Sequence, residues 1–253
     1  MAKRTVKLKN RKSAASLRKK QSEFVANVSH ELKTPLTIIK THTETLLSGA
    51  VEDKELADAL LRRIDSEADH MYNIVKDLLT LANLENSRED LVHKRLRLKP
   101  LIDSVAARIR YGVVYHGLDL DLQYNADPEL VINADRTMLE EALLNICNNS
   151  LKYSYKGSKL LFCVDADENQ VYIRISDKGI GISEEDLPKV FDRFFRGDRA
   201  KAKAAGSTGL GLPIAKEYIE AHGGSIRIDS VLGEGTTVTV TLPTAVGPGE
   251  VDG

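Results

Sequence analysis

The 253-residue sequence predicts an α-helical hairpin followed by a layered α/β sandwich, and three observations carry that prediction. In the first third, apolar residues recur in alternating steps of three and four, which lays one stripe along a helix. From about residue 95 the texture changes to short stretches of period two, such as Val171-Tyr172-Ile173-Arg174-Ile175, interleaved with helical stretches. Between the two lies a polar run from Glu85 to Asp90 that fits neither period.

The first helix is expected from near Ser13 to Leu47, ended by Ser48-Gly49, with Val25, Val28, Leu32, Pro35 and Ile39 on its seam. Pro35 has no N–H and its ring opposes the Glu31 carbonyl, so a bend is expected just after His30. The second helix has its seam at Ala57, Leu61, Ile64, Ala68, Met71, Val75, Leu78 and Ala82. A hairpin of two such helices cannot cover its own apolar face, and pairing with a second copy gives a four-helix bundle, hence a homodimer. Beyond the polar run, strands are expected around Leu96 to Leu98, Leu118 to Leu122, Val171 to Ile175 and Thr237 to Thr241, with helices at about 100–111, 136–152 and 212–222. Asp167-Glu168-Asn169 and Gly233-Glu234-Gly235 read as hairpin turns. The result is a mixed or antiparallel sheet with helices on one face. The chain is thereby divided into a basic segment 1–20, a helical domain 21–86, a sandwich domain 91–243 and a flexible tail 244–253.

Lys and Arg total 36 against 37 Asp and Glu, and the net charge of -1 weighs against nucleic acid as a partner. Cys147 and Cys163 sit in no metal or redox spacing and read as ordinary buried thiols of a reducing compartment. No apolar run reaches the roughly 18 to 20 residues that span a bilayer, so the chain reads as soluble and cytoplasmic. Residues 1–20 carry nine Lys or Arg and no acid. Two readings stand side by side: a juxtamembrane segment on the cytoplasmic side of a preceding membrane helix and sensor region, or a solvated tail.

Four stretches carry chemistry. In Ser29-His30-Glu31-Leu32-Lys33-Thr34-Pro35-Leu36, His30 falls off the seam and faces outward; a neutral imidazole is a competent nucleophile near pH 7. Taken alone, His30 reads as a solvated surface histidine, as do His42, His70, His93, His116 and His222. In Asn145 to Tyr153, Asn145, Asn149 and Lys152 share one helix face; amide oxygens suit a hard cation such as magnesium and an ammonium suits phosphate. Asp177-Lys178-Gly179-Ile180-Gly181 follows a strand, where glycines let backbone approach a ligand and a carboxylate can accept from an exocyclic amine such as that of adenine. Gly206-Ser207-Thr208-Gly209-Leu210-Gly211-Leu212-Pro213 opens a helix, an arrangement suited to phosphate. None of these matches a P-loop, a dinucleotide fingerprint or a protein-kinase catalytic loop.

Together these stretches resemble the catalytic core of the sensor histidine kinases of two-component systems, over residues 20–243. Ser29 to Leu36 looks like the H box, Asn145 to Tyr153 the N box, and Asp177-x-Gly179-x-Gly181 the first glycine box. Phe191-Asp192-Arg193-Phe194-Phe195-Arg196 looks like the F box and Gly209-Leu210-Gly211 the second glycine box. The resemblance implies an ATP-binding fold of the gyrase, chaperone and histidine-kinase type. It implies that Asp177 contacts the adenine amine, and that Asn149, helped by Asn145, holds Mg2+ on the phosphates. Lys152 and Tyr153 would line the phosphate and ribose side, with Gly179, Gly181, Thr208, Gly209 and Gly211 around the nucleotide and residues 197–208 a mobile lid. Arg196 is the candidate charge for the γ-phosphate. His30 would attack that phosphate with Glu31 as base and pass it to the receiver domain of a response regulator. Glu31-Leu32-Lys33-Thr34 is similar to the E-x-x-T pattern of bifunctional relatives, in which Thr34 would orient water for dephosphorylation of the regulator. Pro35 then reads as a hinge at the reactive histidine. Phe195 departs from relatives that carry tyrosine there. A gyrase- or chaperone-like ATPase has no use for the H-box hairpin, and a scaffold without kinase activity has no use for an intact Asn149, Asp177 and both glycine boxes.

Overall fold

The structure, a computed structural model, describes residues 2–86, 93–197 and 207–245, with only the backbone of α1 before Ser22 and at Glu23 and of α2 at Glu85 and Asn86. The chain divides into two compact units, Met1–Lys76 and Asp77–Gly253. The predicted lid lies mostly, and the C-terminal tail largely, outside the described residues.

The first unit is a helical hairpin. Helix α1 is Ala2–Leu47 and runs through Pro35, starting well before Ser13. Gly49, at φ 116°, makes the turn, and Asp53 starts α2 (Lys54–Asn86) by accepting the Glu55 and Leu56 N–H groups at 3.1 Å each. The seam of α2 differs from the expected one by a register choice. The face turned inward carries Ala57, Leu60, Ile64, Glu67, Met71 and Ile74, while Leu61, Ala68 and Val75 are exposed. Adjacent apolar pairs, Leu60-Leu61 and Ile74-Val75, fit both registers, so periodicity alone could not choose between them. Glu67 is tolerated inside because Arg63 lies 2.8 Å from its carboxylate one turn earlier. Among the described residues, no helix is long and apolar enough to cross a membrane.

The second unit begins with the last turns of α2 and continues through β1 (Lys94–Arg97), α3 (Leu98–Tyr115), β2 (Asp119–Tyr124), β3 (Val131–Ala134), α4 (Arg136–Tyr153), β4 (Lys159–Ala166), β5 (Gln170–Asp177), α5 (Gly211–Ala221), β6 (Ser225–Val231) and β7 (Gly235–Pro243). The main sheet has the order β2-β4-β5-β7-β6, with β2 parallel to β4 and every other pair antiparallel, so the mixed sheet is borne out. Both expected hairpin turns join neighbouring strands of it. Alternation decides its two faces. Phe162, Val164, Ile173, Ile175, Val238 and Val240 point into one core with Leu101, Ile102, Leu139, Leu143, Ile146 and Ile219 of the three helices. Thr237, Thr239 and Arg174 lie on the opposite, polar face. The expected strand at Leu96 to Leu98 is displaced: β1 stops at Arg97, Leu98 opens α3, and β1 pairs with β3 in a separate two-stranded sheet.

Candidate active site

The N-box helix is set by its two ends. The Asp135 carboxylate accepts the Met138 N–H at 3.1 Å and caps α4, and the Ser154 N–H returns to the Ser150 carbonyl at 3.1 Å. Leu139, Ala142, Leu143, Ile146 and Leu151 bury one face, which leaves Asn145 and Asn149 half-buried and Lys152 exposed on another.

The first glycine box is stitched onto the end of this helix. Tyr155 donates its N–H to the Lys178 carbonyl at 2.9 Å, and Ile180 to the Tyr153 carbonyl at 3.2 Å. Gly179 must be glycine, since a Cβ there would sit 2.3 Å from the Tyr153 oxygen. On the other side the β6–β7 turn closes in: a Cβ on Gly181 (φ 63°) would meet the Val231 oxygen at 2.1 Å. Asp177, the last residue of β5, is thereby fixed between the N-box helix and a strand turn, and its Oδ1 is shielded from solvent. Sequence spacing could not supply that convergence.

The second glycine box opens α5 beside Asn145, whose Oδ1 lies 3.5 Å from where a Cβ on Gly211 would sit. No side chain caps this helix start at Leu210; Thr208 Oγ1 instead accepts the Leu210 N–H at 3.2 Å. The F box packs on the same glycines. Phe194, at φ 65°, is the one described residue other than glycine with positive φ, and its N–H donates to the Gly209 carbonyl at 3.0 Å. Although Lys152 is exposed as a residue, protein atoms crowd its ammonium; this desolvation first, and next the neighbouring Arg196 guanidinium, make it hold its proton less tightly than an ordinary lysine, with Asp77 opposing. The Asp77 carboxylate also accepts from Thr208 Oγ1 at 2.9 Å. Asp77 therefore belongs to the electrostatics of this site, and no sequence motif marks it.

The donor set fits magnesium. Two half-buried amides on one helix face are hard oxygen donors, and magnesium is held by few protein groups together with substrate phosphates. Among the described residues, His, Cys, Asp and Glu form no cluster of three or more that would supply a protein cage.

In the first unit, His30 is exposed and Glu31 half-buried, and no hydrogen bond joins them among the described residues. Thr34 is exposed and its Oγ1 donates to the His30 carbonyl at 3.3 Å. Of the other histidines, His222 corrects the surface reading: it is buried, because both ring nitrogens find backbone partners.

Residues 20–87 match the His Kinase A (phospho-acceptor) domain family. Residues 134–246 match the family of histidine kinase-, DNA gyrase B- and HSP90-like ATPases. The sensor histidine kinase WalK of Bacillus subtilis is 40% identical over 224 residues, covering 87% of this chain and 36% of WalK. A Staphylococcus aureus sensor protein kinase WalK is 36% identical over 230 residues, covering 90% of this chain and 55% of that protein. The chain therefore spans a third to about half of these relatives. Among solved structures, the Acinetobacter baumannii histidine kinase AdeS matches with a TM-score of 0.66 and 25% identity, over 85% of this chain and 97% of that one. The histidine kinase ThkA, solved in complex with the response regulator TrrA, shares the fold with a TM-score of 0.69 at 22% identity, over 92% of this chain and 66% of that one. With an exposed H-box histidine on a helical hairpin, the Asp177 loop docked on the Tyr153 end of α4 and Asn145 set beside Gly211 in an α/β domain, the chain belongs to the sensor histidine kinases and carries their catalytic core.

Proposed function

We propose that this chain phosphorylates itself on His30 from ATP and passes the phosphoryl group to an aspartate in the receiver domain of a response regulator. The observation that carries this reading is the docking of the Asp177 loop onto the asparagine-bearing end of α4, which gathers an adenine acceptor and phosphate-side groups in one domain. Asp177 accepts the adenine amine, Tyr153 lines the ribose side, and the amides near Gly209 and Gly211 with Thr208 receive the phosphates. Asn149 and Asn145 hold Mg2+, which supplies charge neutralisation on the phosphates when bound. Lys152 and Arg196 add positive charge there. A ring nitrogen of His30 attacks the γ-phosphorus, the bond to the bridging oxygen breaks, ADP leaves, and Glu31 takes the ring proton. The receiver aspartate then attacks the same phosphorus, and the P–N bond breaks. Thr34 orients a water that hydrolyses the resulting acyl phosphate, which makes the enzyme bifunctional. The pairing of ThkA with a regulator on the same fold supports the choice of partner.

The helical domain is assigned to 21–86, the ATP-binding domain to 91–243, and the assembly is a homodimer. Its support is the second apolar line of the hairpin: Val25, Leu36, Leu61 and Val75 stay between 45% and 59% exposed while the other line is covered. The setting is cytoplasmic, with any membrane attachment supplied by a preceding sensor region.

Incubation of the parent and His30→Ala with γ-labelled ATP and magnesium tests the reading. Acid-labile, base-stable label that requires His30 is expected. Hydrolysis without protein label, or neither, overturns it. Thr34→Ala is expected to retain autophosphorylation and lose phosphatase action; loss of both together overturns the separation of roles.

A further inference from the structure

Helices α4 and α5 carry the asparagines and glycines of the site, and three places along their contact bear on it. At one end Asn145 Oδ1 faces Gly211, 3.5 Å from a Cβ position there. Midway, the Tyr218 hydroxyl donates to Glu141 Oε2 at 3.1 Å. At the far end stands His222, the C-cap of α5, 4% exposed. Its Nε2 accepts the N–H of Asp135, the cap of α4, at 2.9 Å, and its Nδ1 lies 2.6 Å from the Tyr218 carbonyl. A donor facing Nε2 and an acceptor facing Nδ1 admit one state of the ring, neutral with the proton on Nδ1. The His93 ring stacks on it with centroids 4.9 Å apart and planes 20° from parallel.

We propose that His222 is a positioning residue for nucleotide binding: its neutral imidazole sets the register of α4 against α5, and so the spacing between the Asn145 and Asn149 amides and the glycines at 209 and 211. The inference rests on reading this site as the ATP site. An α-helix rises about 1.5 Å per residue, so Asn145 lies roughly 15 Å along α4 from the Asp135 anchor, and a slip there is carried to the asparagines by a stiff rod. Protonation would place a hydrogen on Nε2 against the Asp135 N–H and break the link. Among the described residues, the titratable and charged groups around the ring are His93 ahead of β1, Asp135 at the β3–α4 junction and Tyr218 on α5. Burial, first, and a charge on His93 resist the proton; the Tyr218 carbonyl and the Asp135 carboxylate favour it, and the balance keeps the ring neutral to lower pH than an ordinary histidine.

The test titrates the full chain with trinitrophenyl-ATP and magnesium from pH 7.5 down through the pH at which the His222 ring takes up its proton, followed by its ring NMR signals, in the parent, His222→Leu and His222→Gln. Leucine removes the acceptor; glutamine keeps one that does not titrate. At pH 7.5 the leucine variant is expected to bind about tenfold more weakly (about 1.4 kcal/mol) and the glutamine variant to recover most of that loss. On acidification the parent is expected to lose several-fold more affinity than the glutamine variant, whose own pH dependence reports the ligand phosphates. A folded leucine variant with parental affinity, or parent and glutamine profiles that superpose, overturns the proposal. If the leucine variant does not fold, the second comparison decides alone. Failure of the parent itself to bind the analogue at pH 7.5 sinks the reading of the site, and this role with it.

Discussion

Phe194 and Gly209 hold each other in place: the Phe194 N–H donates to the Gly209 carbonyl at 3.0 Å, and both have left-handed backbone, at φ 65° and 69°. A Cβ on Gly209 would lie 2.8 Å from the Phe194 carbonyl carbon, a backbone atom that cannot swing aside. Gly209→Ala therefore combines left-handed strain, about 1–2 kcal/mol, with displacement of the F box from the second glycine box. It is expected to weaken ATP binding more than tenfold by isothermal titration. Gly157→Ala is the control, since Gly157 has φ 80° but nothing within 4 Å of its Cβ position. It should lower thermal stability by the strain alone and leave nucleotide affinity unchanged.

Asp177 ends a central strand, with Oδ1 shielded from water and the Gly179 loop pressed against Tyr153. On the proposed reading the carboxylate accepts from the adenine amine; an amide keeps one acceptor but brings a donor into the same enclosure. Asp177→Asn is expected to weaken ATP and ADP alike by roughly 5- to 150-fold, the range of about 1–3 kcal/mol for a mispaired buried polar group. Equal affinities of parent and variant, compared by competition with a fluorescent nucleotide, would contradict the adenine role.

Much of this was legible in the sequence, and the limits have physical causes. The hairpin, the mixed sheet and the strand turns follow from period and turn chemistry, which are local. Within the single hairpin α2 turns Leu60 and Ile74 inward rather than Leu61 and Val75, a choice periodicity cannot make because either apolar neighbour satisfies its register equally well. The chemistry of Asp177 and the asparagines could be named from residue type. Their convergence could not, because it depends on Gly179 approaching the Tyr153 carbonyl across distant chain. Asp77 and His222 were invisible for a related reason: one sits in a helical repeat and the other looks like a surface histidine until both its nitrogens are traced to backbone partners.

The two cysteines are free and buried, as residue spacing suggested. Burial pushes the Cys147 thiol up to about 12, and burial, then the Asp165 carboxylate beside it, raises that of Cys163. Thiolate is the reacting form. Ellman's reagent at pH 8 is expected to find essentially no reactive thiol in the native protein and two after denaturation. Rapid native reaction of Cys147 would contradict the packing of the core, and that of Cys163 its cover by Asn125, Asp165 and Arg174 on the polar face of the sheet.

His222 also ties stability to acidity. Its folded form resists protonation more than the unfolded chain, whose histidine titrates near 6.5. Above that pH both states are neutral and the group has no effect. As pH falls below it, the unfolded state takes up a proton that the folded state refuses, so stability drops, by at most about 1.4 kcal/mol per pH unit, until the folded pKa is passed. Thermal melts of the parent at pH 7.5 and 5.5 are expected to differ more than those of His222→Gln. Equal differences in the two proteins would exclude this linkage.

Pro35 lies buried inside α1, one turn after His30, and leaves the Glu31 carbonyl without the N–H that any other residue would supply. Thr34 loads the same turn by donating to the His30 carbonyl. Proline in a helix interior costs about 3 kcal/mol relative to alanine, whereas trimming its buried ring forfeits about 0.8 kcal/mol per methylene. Pro35→Ala should therefore stabilise the hairpin by about 1 kcal/mol, read as a higher melting temperature of the helical signal. A natural sequence that gives up that stability beside His30 points to use of the weak turn. If the weakened turn there serves to alternate between accepting a phosphoryl group and removing one from the regulator, stiffening it changes the ratio of the two rates. The variant is expected to autophosphorylate and dephosphorylate in a ratio at least several-fold from the parent's. A stabilised hairpin with both rates scaled equally would leave Pro35 a packing residue and remove the hinge from the mechanism.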